Sequence, residues 1–310
     1  MSSVPSEAEA TESREIGRAA GPGDQAVRGR RHLQVNRRFM NSVGGVLGTI
    51  LLLAWTLVPL LWMLSLAFKT KGQQLASPPQ YIPSPATWEN FVNVFAERGI
   101  QAYIVNSIIV TLVSTPLSVA IAALSAFALA RFRFRGQNVL LFSILATRML
   151  PPLIIALPTF VILSRLDATN NLLVLALVYV AFNLPFNIWL LYGFFEEIPK
   201  EIEESAQIDG AGSWTLFSRI MLPLVAPGLV AAVIFSSIFA WNEFAFALLL
   251  TTTPDAQTLP IAIAGLTSDR GTDFGAMGAV GVIATLPLFA VAVYVQKWLA
   301  RGLTAGAVKG

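Results

Sequence analysis

Two ionisable side chains lie inside long apolar runs of this chain: Arg148, in Thr147-Arg148-Met149-Leu150-Pro151-Pro152, and Glu243, in Trp241-Asn242-Glu243-Phe244. A charge in hydrocarbon is costly and needs a partner, a wet path or an escape to the interface. Three readings of the two stay open: pairing with each other or across a subunit boundary, lining of a translocation path, or snorkelling. Asn183, Asn187, Trp189 and Tyr192 cluster around Pro185, and Trp241 and Asn242 precede Glu243. Amides and aromatic rings together suit a sugar, whose hydroxyls want hydrogen bonds and whose ring face stacks on an aromatic. Taken singly, the same residues suit interhelical hydrogen bonds and packing. As a set, these eight are the candidate lining of a pathway. Catalytic chemistry finds little to work with. There is no cysteine, the single His32 lies in a polar stretch, and no nucleophile–base pair or metal-ligand cluster stands out, so no metal is expected.

A second group of chemically active residues is cytoplasmic in character. The stretch 196–223 reads EEIPKEIEESAQIDGAGSWTLFSRIMLP. Glu196, Glu197, Glu201, Glu203, Glu204 and Asp209 are accompanied by a single Lys200 before Gly210. Pro199 suits a first helical position. Ile198, Ile202 and Ala206, four apart, share one helical face. Asp209-Gly210 is a turn signal, with Gly210 free to take positive φ at a helix end. Trp214, Phe217, Met221 and Leu224 mark the apolar face of a second helix that runs on into the membrane.

These elements sit in a chain that is 55% hydrophobic and 13% charged, about half the charge of a soluble domain. Residues 1–40, rich in Ala, Gly, Ser, Glu and Arg without apolar period, are expected to be a disordered cytoplasmic tail that turns from acidic to basic at its end. Val43–Phe68 is uncharged and long enough to span a bilayer, which takes about 20 residues; it is too long for the apolar core of a signal peptide. Residues 69–101 form an extracytoplasmic loop in which Thr87 caps a short helix bearing Trp88, Phe91 and Phe95 on one face. Further spans are expected near 103–130, 138–164, 170–195, 222–250 and 276–297, followed by a cytoplasmic tail, 299–310. Six spans put both termini on one side. With that side inside, Lys and Arg divide fifteen against five in favour of the inner segments. The acidic loop then faces the cytoplasm. The basic excess reads as topology, with the lipid bilayer as solvent and no nucleic acid as partner.

The spacing Glu204-Ser205-Ala206, three residues, Gly210, nine residues, Ile220, one residue, Leu222-Pro223 resembles the coupling loop of bacterial ABC importer permeases, with Ser205 where the family has Ala. Asn106-Ser107, Ala240-Trp241-Asn242-Glu243-Phe244 and the ending Gly302-Leu303-Thr304-Ala305-Gly306-Ala307-Val308-Lys309-Gly310 extend the resemblance to the smaller permease subunit of maltose, trehalose and sugar-alcohol importers, from about residue 60 onward. The resemblance implies an all-α membrane protein of six transmembrane helices with the type I importer fold, its conserved core over 102–298, in the bacterial plasma membrane. It implies that Glu204, Ser205, Ala206, Asp209, Gly210, Ile220, Leu222 and Pro223 couple the pore to a cytoplasmic ATPase. The expected partners are a second permease subunit, two copies of the ATPase and an extracellular solute-binding protein that delivers the sugar. The chain carries no phosphate-binding Gly-rich loop with its Lys. No cofactor is expected on it; ATP and Mg belong to the ATPase, and the chain is not itself an enzyme. Two alternatives are an ABC permease for a non-sugar cargo and an ion-coupled secondary transporter, which wants paired membrane carboxylates and an inverted repeat.

Overall fold

Hydrocarbon leaves a backbone no partner but itself, so an apolar chain of this length is bound to be helical. The computed structural model describes residues 22–132, 134–268 and 271–306. The helices are α1 (Pro22–Ala67), α2 (Lys71–Gln74), α3 (Glu89–Ala96), α4 (Ile100–Arg131), α5 (Gln137–Ala146), α6 (Pro152–Arg165), α7 (Leu172–Glu196), α8 (Lys200–Ile208), α9 (Ser213–Leu224), α10 (Ala226–Asn242), α11 (Ala245–Leu250), α12 (Leu259–Ala264) and α13 (Phe274–Gly306). Two-residue strands, Thr267–Ser268 and Gly271–Thr272, pair antiparallel before α13. The chain divides into residues 1–61 and 62–310. Of the first unit, the described part is the opening of α1, which starts at Pro22, inside the stretch expected to be a disordered tail. Proline is well placed at a helix start, and the Gln, Arg and Leu that follow are good helix formers. Residues 1–21 and 307–310, the ends of the two expected tails, lie outside the described residues, and α13 runs through most of the second.

Among the described residues, four helical stretches are long and apolar enough to cross a bilayer unbroken: Gly44–Ala67, Ile100–Arg131, Leu172–Glu196 and Phe274–Val293. The two other spans are broken. Gln137–Met149 meets Pro152–Arg165 at 90°, and Ser213–Leu224 meets Ala226–Asn242 at 76°; with each bent pair counted as one span, the total is six. The first break follows from tandem prolines. Pro151 and Pro152 lack N–H donors, and Leu150, preceding a proline, is driven to extended backbone at φ −76°, ψ 129°. The span expected near 222–250 is interrupted twice. It bends at Val225, between Pro223 and Pro227, and it opens again at Glu243, which is extended at ψ 127°.

In the 62–310 unit the core forms along α4, α7 and α10. Ser118 of α4 meets Asn187 of α7, and further along both chains Phe127 meets Phe195 at 5.7 Å, so these two helices run parallel. Helix α10 runs against them, with Ser236 at Asn187 and Phe239 stacked on Phe182 at 5.1 Å. Gly278 of α13 lies so close to the last turn of α1 that a Cβ there would stand 2.6 Å from the backbone nitrogen of Ala67.

The loop 69–101 is tied down at its start. Asn90 Nδ2 donates to the carbonyls of Ala67 (2.9 Å) and Lys69 (2.8 Å). Thr87 Oγ1 accepts from the Glu89 amide (3.1 Å), but the helix starts one residue later than expected, with Trp88 at the cap and no side-chain bond from it. Lys69 itself is buried, its Nζ 4.0 Å from the centre of the Trp62 ring, and burial holds its ammonium below the ordinary lysine pKa. Gly278→Val is expected to cost about 1–3 kcal/mol through overpacking against that backbone, read as a lower unfolding midpoint of the detergent-solubilised protein.

Candidate functional site

Helix α8 begins after Pro199, which is extended at ψ 139°, and carries Glu201 and Glu203 in its first turn, where a carboxylate favours the positive end of the helix dipole. Its end is a Schellman stop. The Ala211 amide bonds the Ala206 carbonyl (2.9 Å), and the Gly210 amide bonds that of Gln207 (3.0 Å). Gly210 sits at φ +83°, a left-handed conformation that suits glycine. A Cβ at Gly210 meets no atom of the described residues within 4 Å, so backbone conformation is what this fold asks of the position.

The spacing-derived residues divide into two faces. Glu204, Ser205, Asp209 and Gly210 are exposed. Ala206 is buried against the protein's own core, with Leu216, Phe217 and Met221, so close packing at this alanine is internal. Ser205 Oγ bonds back to the Glu201 carbonyl at 2.7 Å and disturbs nothing. Ile220 lies in a six-residue π turn, Leu216–Met221, and Leu222 and Pro223 follow at the 76° bend. A wide turn of this kind inside a helix is a common mark of functional segments.

The eight lining candidates do not converge on one cavity. Asn187 is fully buried; its Nδ2 donates to Ser118 Oγ (2.9 Å) and Ser236 Oγ (2.7 Å), and its Oδ1 accepts from Ser236 (3.1 Å). Asn183, one turn away, is also buried, and its Nδ2 meets no hydrogen-bond partner among the described residues. Trp241 is buried and donates to the Ala284 carbonyl of α13 at 3.1 Å. Glu243 is not paired with Arg148. Its two oxygens accept from the amides of Phe246 (3.0 Å) and Ala247 (3.2 Å), which caps α11 where the helix reopens. Arg148 donates to the Phe182 carbonyl at 3.0 Å and lies 4.5 and 5.2 Å from the ring centres of Phe182 and Phe239. It borders a pocket of about 330 Å3 with Thr147, Thr159 and Pro185. Asn242 is exposed and borders another, of about 280 Å3, with Phe244, Pro260 and Ile263. Trp189 is half exposed, and Tyr192 lines a separate cavity beside α8.

The model of the family described as "Binding-protein-dependent transport system inner membrane component" matches residues 115–305. The chain belongs to this family. Among curated relatives, it is 36% identical over 268 residues to a trehalose/maltose transport system permease of Thermococcus litoralis, covering 86% of this chain and 96% of the relative. It is 36% identical over 252 residues to a diacetylchitobiose uptake system permease of Streptomyces coelicolor (81% and 91%). It is 35% identical over 262 residues to a trehalose transport system permease of Mycobacterium tuberculosis (84% and 95%). Among solved structures, a bacterial ABC transporter that imports the acidic polysaccharide alginate superposes with a TM-score of 0.71 at 22% identity, covering 84% of this chain and 97% of that one. The fold is thus that of ABC importer permeases, and the protein is a multi-pass component of the inner membrane.

Several residues that hold this permease together gave no signal of their role in the sequence. Asn106 Nδ2 donates to the Asp255 and Gln257 carbonyls (3.0 and 2.9 Å), and Ser107 Oγ accepts from the Leu259 amide (2.8 Å), so the opening of α4 holds the loop before α12. Asn170, at φ 56°, accepts from the Thr252 and Thr253 amides (2.6 and 3.0 Å). The Asn106-Ser107 pair stood out in the sequence as a resemblance; its partners lie too far along the chain to read. Asn187→Leu leaves Ser118 and Ser236 without their shared partner and is expected to destabilise the permease by about 1 kcal/mol. Thermal unfolding in detergent checks this, with Trp189→Leu, on a half-exposed face, as the near-neutral comparison.

Proposed function

We propose that this chain forms half of the translocation pore of an ATP-driven importer for a di- or oligosaccharide or sugar alcohol, with both termini and α8 in the cytoplasm. The observation that carries the reading is α8 itself. It is an acidic nine-residue helix, stopped sharply at Gly210, with Glu204 and Asp209 turned outward and Ala206 seated on the core. It links α7 to the broken span α9–α10, so a push on it reaches two spans. The relatives named for trehalose, maltose and diacetylchitobiose support a sugar as cargo.

In this mechanism an extracellular binding protein presents the sugar to the outer face. A solved relative of this fold has been captured with its pentasaccharide-bound periplasmic protein, at a TM-score of 0.64 and 16% identity. Two copies of a separate ATPase, which hold the ATP and Mg, close around α8 and its counterpart in a second permease subunit. That closure turns the pore outward, and hydrolysis returns it. The chain is not an enzyme and needs no cofactor of its own. Glu204 and Asp209 accept hydrogen bonds from the ATPase, and Gly210 allows its close approach. Of the lining candidates, Arg148 at one pocket and Asn242 at another, whose wall Trp241 shares, are the residues this reading assigns to cargo. Asn183, Asn187, Trp241 and Glu243 hold the helices that shape the path.

The test is purification of the tagged protein from its native membrane in mild detergent, with mass spectrometry of what accompanies it. The expected result is an ATPase and a second permease. Recovery of the protein alone, still supporting uptake, overturns the reading in favour of an ion-coupled transporter. Gly210→Trp, forced both into a strained backbone and into the docking face, is expected to abolish sugar uptake while the protein stays in the membrane. Uptake with Gly210→Trp equal to the unaltered protein's would sink the assignment of α8. A complex whose ATP hydrolysis rises with a non-sugar cargo, and not with sugars, would replace the sugar alone.

A further inference from the structure

The two acidic neighbours Glu203 and Glu204 look in different directions, since successive residues of an α-helix are about 100° apart. Glu204 is exposed. Glu203 turns inward towards Arg131, its Oε2 standing 2.8 Å from the arginine Nε in a contact between charges whose N–H is not aligned as a hydrogen bond, and the two side chains are only 18% and 6% exposed. We infer that this ion pair is the strut through which movement of α8 enters the membrane bundle, with Arg131 and Glu203 as positioning residues for transport. The inference rests on the importer reading above and assigns the part of the stroke that lies within this chain.

The geometry favours a strut over a surface ion pair. Arg131 is the last residue of α4, where a helix end is negative, and Glu203 stands in the first turn of α8, where a helix end is positive. Each charge complements its own helix dipole, and together they join a span to the coupling helix end to end. The guanidinium also donates from its second nitrogen to the Ile198 carbonyl at 3.3 Å, in the linker before α8, and lies 3.9 Å from Met221 Sδ, in the π turn after it. One planar group therefore touches the coupling helix, the segment leading in and the turn leading out. The other oxygen of Glu203 is held by Gln207 Nε2 at 3.3 Å, so neither end of the pair swings freely.

What lies around Arg131 makes the pair decisive. On one side is the aromatic cluster Phe127, Phe195 and Phe217, with ring centres 5.2 to 6.5 Å apart, which welds the ends of α4 and α7 to the π turn. On another side is a cavity of about 640 Å3, bordered by Arg131, Phe134, Gln137, Tyr192, Glu196 and Lys200. Packing leaves room for Arg131 on that side; the charge pair fixes where it points. A lysine would keep the charge and lose the fork that reaches three segments.

The test uses the assembled complex with its ATPase. Because the chain has no cysteine, a single cysteine in place of exposed Gln101, at the far end of α4, takes an environment-sensitive fluorophore. ATP, Mg and orthovanadate are added, and the change in emission is read. E203Q and R131Q are expected to keep the ATPase bound yet lose the signal about fivefold or more, the low end of ordinary coupling between sites. R131K, which keeps the charge and loses the second contact, is expected to respond between the neutral variants and the unaltered complex, and it serves where a neutral variant does not assemble. A full response from E203Q or from R131Q overturns the strut. Loss of the ATPase from E203Q also overturns it, since Glu203 would then face the partner. Failure of the importer reading looks different: the unaltered complex itself brings no ATPase or gives no nucleotide signal.

Discussion

A helix opened inside a bilayer exposes backbone groups that lipid cannot satisfy, and this permease opens helices there repeatedly. Each opening has its own solution. At 150–152 two adjacent prolines have no N–H to leave bare, and α6 starts on one of them. At Val225 the bend falls between two prolines, and the Val225 amide still reaches the Met221 carbonyl at 3.0 Å. At Glu243 no proline helps, and a carboxylate supplies the acceptors that the amides of Phe246 and Ala247 need. The continuous helices α4 and α7 are what the broken ones lean on, and their packing is secured by small residues and by Asn187, Ser118 and Ser236. The frame is stiff along two spans and jointed along two others, an arrangement suited to a pore that changes shape.

Much of this was legible. Uncharged runs gave the spans, with α4 and α7 within a few residues of expectation, and Asp209-Gly210 gave the end of α8, down to the positive φ that its glycine adopts. The breaks were not legible, because proline alone does not mark them. Pro59, Pro116, Pro158, Pro185 and Pro287 lie within continuous helices, whereas Pro151–Pro152 and the Pro223–Pro227 pair lie at bends. What separates the groups is doubling within four residues, about one turn, which removes donors from successive rungs of the same helix.

The polar residues show the other limit. An asparagine in an apolar run reads equally as a pore group or a packing group. Asn187 was decided by serines on two other helices, which only folding brings to it, whereas Asn242 was left at a pocket edge. Glu243 was recognisable as costly but not as a cap, because the helix it caps begins at an interruption that the hydropathy does not show. Arg131 read as one basic residue among several at a membrane end, and Glu203 as one acid among six; neither sequence context names the other.

The π turn from Leu216 to Met221 has a consequence for everything that follows it. Such a turn takes up a residue more than an α turn, so it sets the rotational phase of the downstream chain. Closing it to α geometry would rotate each later side chain by about 100° around the axis and advance it by about 1.5 Å. The face that α10 offers to α4 and α7, with Gly228 against the Phe194 ring and Ser236 at Asn187, is thus keyed by six residues that precede it in the chain. Insertion or deletion between α8 and α10 would be felt less as a change of length than as a change of key.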